Sequence, residues 1–152
     1  MAAEQALVCR RSAAHGAGRF VPGRWILLAP ETLSIRETRQ GAVHRLTPIG
    51  ELDLATAPQL ESAFGAVCRD DGVEMIVVDL TELSFMDSTG VHLLLRMHSA
   101  CGAAGRLRVI NGSRAVQRVL DVTGVRAHLP IISSDSDSLA SLDDAARLCG
   151  RG

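Results

Sequence analysis

The chain contains no lysine: all 16 of its basic residues are arginine. That absence removes two chemistries, because a P-loop needs its Lys on the nucleotide phosphates and a Schiff-base enzyme needs a Lys amine. There is no Cys-x-x-C pair either. Cys9, Cys68, Cys101 and Cys149 are irregularly spaced and read as reduced, small apolar residues. No apolar run reaches the ~20 residues of a membrane-spanning helix. The segment Trp25 to Ala29 is too short for the apolar part of a secretion signal, so the cytoplasm is the expected compartment. Net charge is −1 and the arginines are scattered, which leaves no basic footprint for nucleic acid. Nothing in the pattern calls for a metal or a cofactor.

What is present is a chain of 152 residues, 47% hydrophobic, enough for one globular domain with a tail. Residues 1–31 are rich in Arg, Gly and Ala without a sustained period and are expected to form a loose extension. The expected domain spans 32–148, and 149–152 form a C-terminal tail.

Within the domain, LSIRET and AVHRLTPIG flank Arg39-Gln40-Gly41 and predict an antiparallel strand pair, the second weakened near its end by Pro48. TAPQLESAFGAV predicts a helix. Thr56 and Gln59 have the spacing of a capping box, Pro58 sits in the first turn, and Leu60, Ala63, Phe64 and Val67 form its apolar face. MIVVDL (75–80) is apolar and β-branched, the pattern of a central strand buried on both faces. RLRVIN (106–111) predicts a strand, SRAVQRVLDVTG a helix capped by Ser113 and stopped at Gly124, and HLPII a short last strand. SDSLASLDDAARL predicts a final helix, with Leu139 and Leu142 inward and Asp137 near its positive end. Two strands followed by repeated helix–strand units imply an α/β fold, a mixed sheet of four to five strands covered by about four helices.

The chemistry concentrates in LSFMDSTGVHLLLRM (83–97), where a short loop turns into an apolar helix beside Asp87 and Ser88. On a helical wheel Val91, Leu94, Leu95 and His98 face the sheet, and His98 reads as a core histidine. Ser88, His92, Arg96 and Ser99 lie on the wet side, with Leu93 and Met97 at the seam. Unless a neighbouring helix covers them, Leu93 and Met97 form an apolar partner surface beside an exposed serine. Ser88 itself admits three roles. It can cap the helix, since Asp, Ser and Thr all do so. It can act as a nucleophile with His92 one turn on, although neither Asp87 nor Glu82 is placed to orient that imidazole and the G-x-S-x-G elbow is absent. Or it can accept a phosphate, which a helix N-terminus tolerates and which adds nearly two charges beside Asp87.

VVDLTELSFMDSTGVHLLL closely resembles the signature of STAS-domain anti-sigma factor antagonists, and GELDLATAPQLESAF and GRLRVINGSRAVQRVLDVTGV are similar to two further elements of that family. The resemblance covers residues 32–148. It implies a STAS fold and a binding protein, not an enzyme. The implied partner is an anti-sigma factor that is itself a serine kinase of the histidine-kinase-like ATPase fold. Binding would release the sigma factor; the kinase would phosphorylate Ser88, or less commonly Thr89, and end the complex; a metal-dependent serine phosphatase would restore it. The implied partner surface comprises Asp53, Asp87, Ser88, Thr89, His92, Leu93, Arg96 and Met97, with Asp53 near the acceptor unless it merely braces its own loop. The alternatives are a STAS scaffold of a sensory or transport assembly and, from another class, a Ser88/His92 hydrolase.

Overall fold

The computed structural model describes residues 33–101 and 105–134; the N-terminal extension, the C-terminal tail and the expected helix carrying Asp137, Leu139 and Leu142 lie outside the described residues. β1 (Ser34–Gln40) and β2 (Val43–Leu52) form a hairpin. They are followed by α1 (Ala57–Cys68), β3 (Met75–Asp79), β4 (Leu83–Met86), α2 (Ser88–Ala100), β5 (Leu107–Ile110), α3 (Arg114–Val122), a 3-10 turn (Val125–Ala127) and β6 (Ile131–Ile132). The strands lie in the order β1-β2-β3-β5-β6, with β4 beside the end of β2. β1 runs antiparallel to β2 and every other pair is parallel. The expected mixed α/β architecture is present, with six strands and three helices among the described residues. The additional strand is β4, which the sequence reading treats as a loop.

The centre of the sheet follows from the β-branched run. Ile76, Val77 and Val78 are each fully buried between β2 and β5. Alternation along β3 sends Ile76 and Val78 into the main core with Leu46, Leu107 and Val109. Val77 points to the other face, where it meets Ile110 and the half-buried Val43, Met75 and Ile132. α1 adds Leu60, Phe64 and Val67 to the main core and α3 adds Val116 and Leu120, as their spacing predicts. Ser113 caps α3 by accepting from the Val116 N–H, and Gly124, in the left-handed region at φ +70°, ends it.

β2 changes partner along its length. Val43 to Leu46 pair with β3, whereas Gly50 to Leu52 pair with β4. Pro48 falls in the interval between the two parallel partners, opposite Ile35 of β1 and four residues before β2 ends at Leu52. Gly50, at φ +113°, provides the bulge at which the register shifts. The bend carries the end of β2 onto β4, at the pole where Asp87 and Ser88 lie.

Two expectations about helices need correction. Thr56 makes no side-chain cap to α1, so no capping box forms; its hydroxyl is committed to the preceding loop instead. In α2 the buried stripe is Gly90, Leu93, Leu94, Met97 and Cys101 together with Val91, while Leu95 and His98 are only half-buried. Leu93 and Met97 are therefore core residues, 3% and 2% exposed, and not a partner surface. α2 lies between α1 and α3 and touches both, so the flanks that a one-sheet wheel leaves bare are covered. The physical cause of the rotation is Gly90. A Cβ there would meet Met86 Cγ at 2.5 Å and Leu52 Cδ2 at 3.0 Å. Its missing side chain lets the first turn of α2 sit directly on the ends of β4 and β2.

Candidate functional site

β2 and β4 end side by side, Leu52 opposite Met86, and the Asp87 N–H donates to the Leu52 carbonyl at 3.2 Å. The two loops that follow these parallel strands are thus neighbours at the carboxyl edge of the sheet, where open α/β folds place their sites. The first loop is built by Asp53. Its Oδ1 accepts from the N–H groups of Ala55 (2.9 Å) and Thr56 (3.0 Å), and its carbonyl accepts from Ala57 N at 2.8 Å. The Thr56 hydroxyl donates to the Glu51 carbonyl at 2.8 Å and accepts from Asp53 N at 2.9 Å. Asp53 is half-buried, and these bonds make it the brace of its own loop, beside the start of α2.

The second loop is shorter and divides its labour sharply. Asp87 is the N-cap of α2: Oδ1 accepts from Thr89 N at 2.8 Å and Gly90 N at 3.1 Å. Ser88, next in line, is exposed and is the first residue of the helix. The capping role that the sequence leaves open to Ser88 belongs to Asp87, and the serine hydroxyl carries no structural duty. Replacing Asp87 with Ala should therefore cost about 0.5–2 kcal/mol of stability. Ser88→Ala should stay within about 0.5 kcal/mol of the parent in a urea titration. A loss at Ser88 as large as that at Asp87 would return the serine to a structural role.

Of the other expected partner residues, Thr89 is half-buried and His92 is exposed on the Ser88 side of α2. Arg96 is exposed and ion-paired with Glu61 of α1. The carboxylates that a Ser88/His92 pair would need are engaged elsewhere, Asp87 with the helix N-terminus and Glu82 with Arg36 at 2.5 Å.

The apolar part of this pole comes from residues that the sequence reading missed. Leu54, in the Asp53 loop, is 75% exposed, and Phe85, in β4, is 45% exposed. Phe85 lies opposite Glu51, one residue before the Leu52–Met86 pair. Strand alternation alone would not have found Phe85, because Leu83 and Met86 are both buried three residues apart and imply opposite faces for it. Leu54 stands in a polar turn with no core face to join.

The family model for the STAS domain matches residues 35–138, a span that runs from the second residue of β1 through β6. The chain belongs to the STAS domain family. Among its relatives, this STAS domain is 33% identical over 95 residues to an anti-sigma-B factor antagonist of Staphylococcus aureus, covering 62% of this chain and 87% of the relative. It is 26% identical over 114 residues to the anti-sigma-F factor antagonist RsfB of Mycobacterium tuberculosis, covering 75% and 93%. A crystal structure of an anti-sigma factor antagonist from Mycobacterium paratuberculosis superposes with a TM-score of 0.64 at 27% identity, covering 82% of this chain and 98% of that one. Among the described residues of this STAS domain no helix is long and apolar enough to cross a membrane, and no group of three His, Cys, Asp or Glu is placed to hold a metal ion.

Proposed function

We propose that this STAS domain is an anti-sigma factor antagonist whose unphosphorylated form binds an anti-sigma factor and so frees a sigma factor for transcription. The observation that carries the reading is the division of labour at α2. Asp87 holds the helix, which leaves Ser88 exposed and structurally idle beside the exposed Leu54 and Phe85. The likeness to anti-sigma factor antagonists supports it. In this reading Ser88 accepts a phosphate from the anti-sigma factor, acting as an ATP-dependent serine kinase, and a metal-dependent serine phosphatase removes it. Thr89 is the less favoured acceptor, being half-buried with its N–H on Asp87. The chain is a substrate and a competitor in this cycle, not an enzyme, and it works in the cytoplasm. Asp53, Asp87 and His92 supply the polar rim of the partner surface, with Leu54 and Phe85 replacing Leu93 and Met97 as its apolar centre.

The test is direct. Incubation with an anti-sigma factor kinase from the same genome and Mg-ATP should add one phosphate, seen as one mass increment, and Ser88→Ala should abolish it. Full labelling of Ser88→Ala would move the acceptor elsewhere. Labelling of Ser88 by a fluorophosphonate would instead establish a hydrolase.

A further inference from the structure

β1 runs antiparallel to β2 and begins at Ser34, opposite Ile49. The next residue of β2, Gly50, pairs with Leu83 of β4, and the Ser84 hydroxyl donates to the Gly50 carbonyl at 2.8 Å. The chain therefore enters the domain at the pole that carries Ser88, and Leu33, buried in the main core, anchors the entry. Strand spacing and rise put Ser34 within about 15 Å of Phe85. Of the three large apolar side chains exposed among the described residues, Leu54 and Phe85 lie at this pole, and Val122 ends α3. The loops that follow β2 and β4 also carry Asp53 and Asp87, with Glu51 opposite Phe85 and Arg114 at the start of α3. This end of the domain is therefore acidic as well as apolar.

Residues 1–32 have the complementary character. They hold Arg10, Arg11, Arg19 and Arg24 against Glu4 and Glu31, although the whole chain carries a charge of −1. Their longest apolar run, Trp25 to Ala29, directly follows Arg24. Eight residues lead from Trp25 to Leu33, a reach of about 27 Å when extended, which spans the gap to Phe85. We propose that residues 24–29 dock on this pole of the same chain, with Trp25 to Leu28 on Leu54 and Phe85 and Arg24 on the Asp53 and Asp87 carboxylates, and so compete with the protein partner for it. One aromatic and three aliphatic side chains leave water together against an exposed apolar pair. Asp53 and Asp87 take their loop N–H groups on Oδ1, and Oδ2 is the oxygen left to a guanidinium. The tether holds the segment at high effective concentration. Ordering it costs conformational entropy, so closure is partial and a partner still finds the pole open. The competition with an anti-sigma factor rests on the function proposed above; the docking does not.

Trp25 is the single tryptophan of the chain, so its fluorescence reports this segment alone. In the dilute full chain its emission should lie to the blue of the urea-unfolded protein, with reduced quenching by acrylamide. Phe85→Ala, Leu54→Asp and Arg24→Glu should each return both readings toward the unfolded values while circular dichroism shows the domain folded. In calorimetry with the anti-sigma factor kinase, Trp25→Ala should bind on the order of threefold more tightly, as follows from losing a closed fraction of about two-thirds. Solvent-like emission in the folded parent, or a shielded Trp25 that neither Phe85→Ala nor Leu54→Asp releases, would overturn the docking. Shielding that fades on dilution would overturn it too, by placing the segment on a second copy. A shielded, pole-dependent Trp25 with unchanged affinity in Trp25→Ala would overturn the competition. If neither form bound the anti-sigma factor while Trp25 stayed shielded at the pole, the proposed function would fail and the docking would be upheld.

Discussion

Truncating Leu93 to Ala should destabilise the fold by about 2–5 kcal/mol and leave the affinity of the folded fraction for its anti-sigma factor unchanged. Truncating Phe85 should do the reverse. Leu93 is 3% exposed and sits in the main core, so its loss leaves a cavity lined by residues from more than one element. Met97, at 2% exposure, belongs with it. Phe85 is 45% exposed and Leu54 is 75% exposed, so alanine at either position removes little buried area and should shift a urea midpoint by less than about 1 kcal/mol. At an interface, however, an aromatic anchor costs about 1–4 kcal/mol when truncated, and each ~1.4 kcal/mol is tenfold in affinity. Phe85→Ala should therefore weaken binding at least tenfold, Leu54→Ala somewhat less, in calorimetry with the purified anti-sigma factor. The crossed design separates packing from recognition. Equal binding losses at Leu93 and Phe85 in fully folded protein would place the interface along α2 and not at the end of the sheet.

The contrast between those two residues also marks what the sequence makes legible. Strand β3 is readable because burial on both faces imposes one residue type along its whole length, and Ile76, Val77 and Val78 satisfy it. α1 and α3 are readable because each packs on one side, so Leu60, Phe64 and Val67, or Val116 and Leu120, recur with the helical period. α2 is harder for a specific reason. Its point of closest approach is Gly90, a residue with no side chain to enter in a hydrophobic pattern, so a wheel weighted by Leu95 and His98 is turned away from the true buried stripe. β4 is hidden because its pairing partner among the described residues is a segment more than thirty positions earlier, reached through the bend at Gly50. Pairing of that kind leaves no local period. Ser88 was legible as a candidate but not as a free hydroxyl. Asp87, Ser88 and Thr89 are all capable caps, and only the bonds from Thr89 and Gly90 to Asp87 decide among them.

A phosphate on Ser88 should lower affinity for the anti-sigma factor by at least 10²-fold while moving the stability of the free domain by less than about 1 kcal/mol. Two opposed effects keep the fold nearly neutral. The positive end of the α2 dipole favours an anion by about 0.3–1 kcal/mol. The Asp87 carboxylate next to it repels one by a similar amount in exposed surroundings. Compensation by the helix is limited, because the Thr89 and Gly90 N–H groups are already given to Asp87. The phosphate is left pointing outward with nearly two charges and no local partner. Covered by another protein surface beside Leu54 and Phe85, those charges must be desolvated unpaired, or set against the carboxylates Asp53 and Asp87. Like-charge juxtaposition at an interface costs several kcal/mol. Ser88→Glu, with one charge and a different reach, should give a smaller loss in the same direction, and Ser88→Ala should bind like the parent. Raising the salt concentration separates this mechanism from a disturbed helix. The share of the block that comes from like charges at the solvent-exposed rim weakens as the Debye length shortens from about 8 Å at physiological ionic strength to about 3 Å at 1 M, whereas the desolvation share does not. The affinity gap between parent and phosphorylated protein should then narrow while both unfold at the same urea midpoint. A gap that persists at high salt together with a lowered midpoint would mean that the phosphate acts by melting the first turn of α2, and the on/off logic would lie in the helix rather than in the charge.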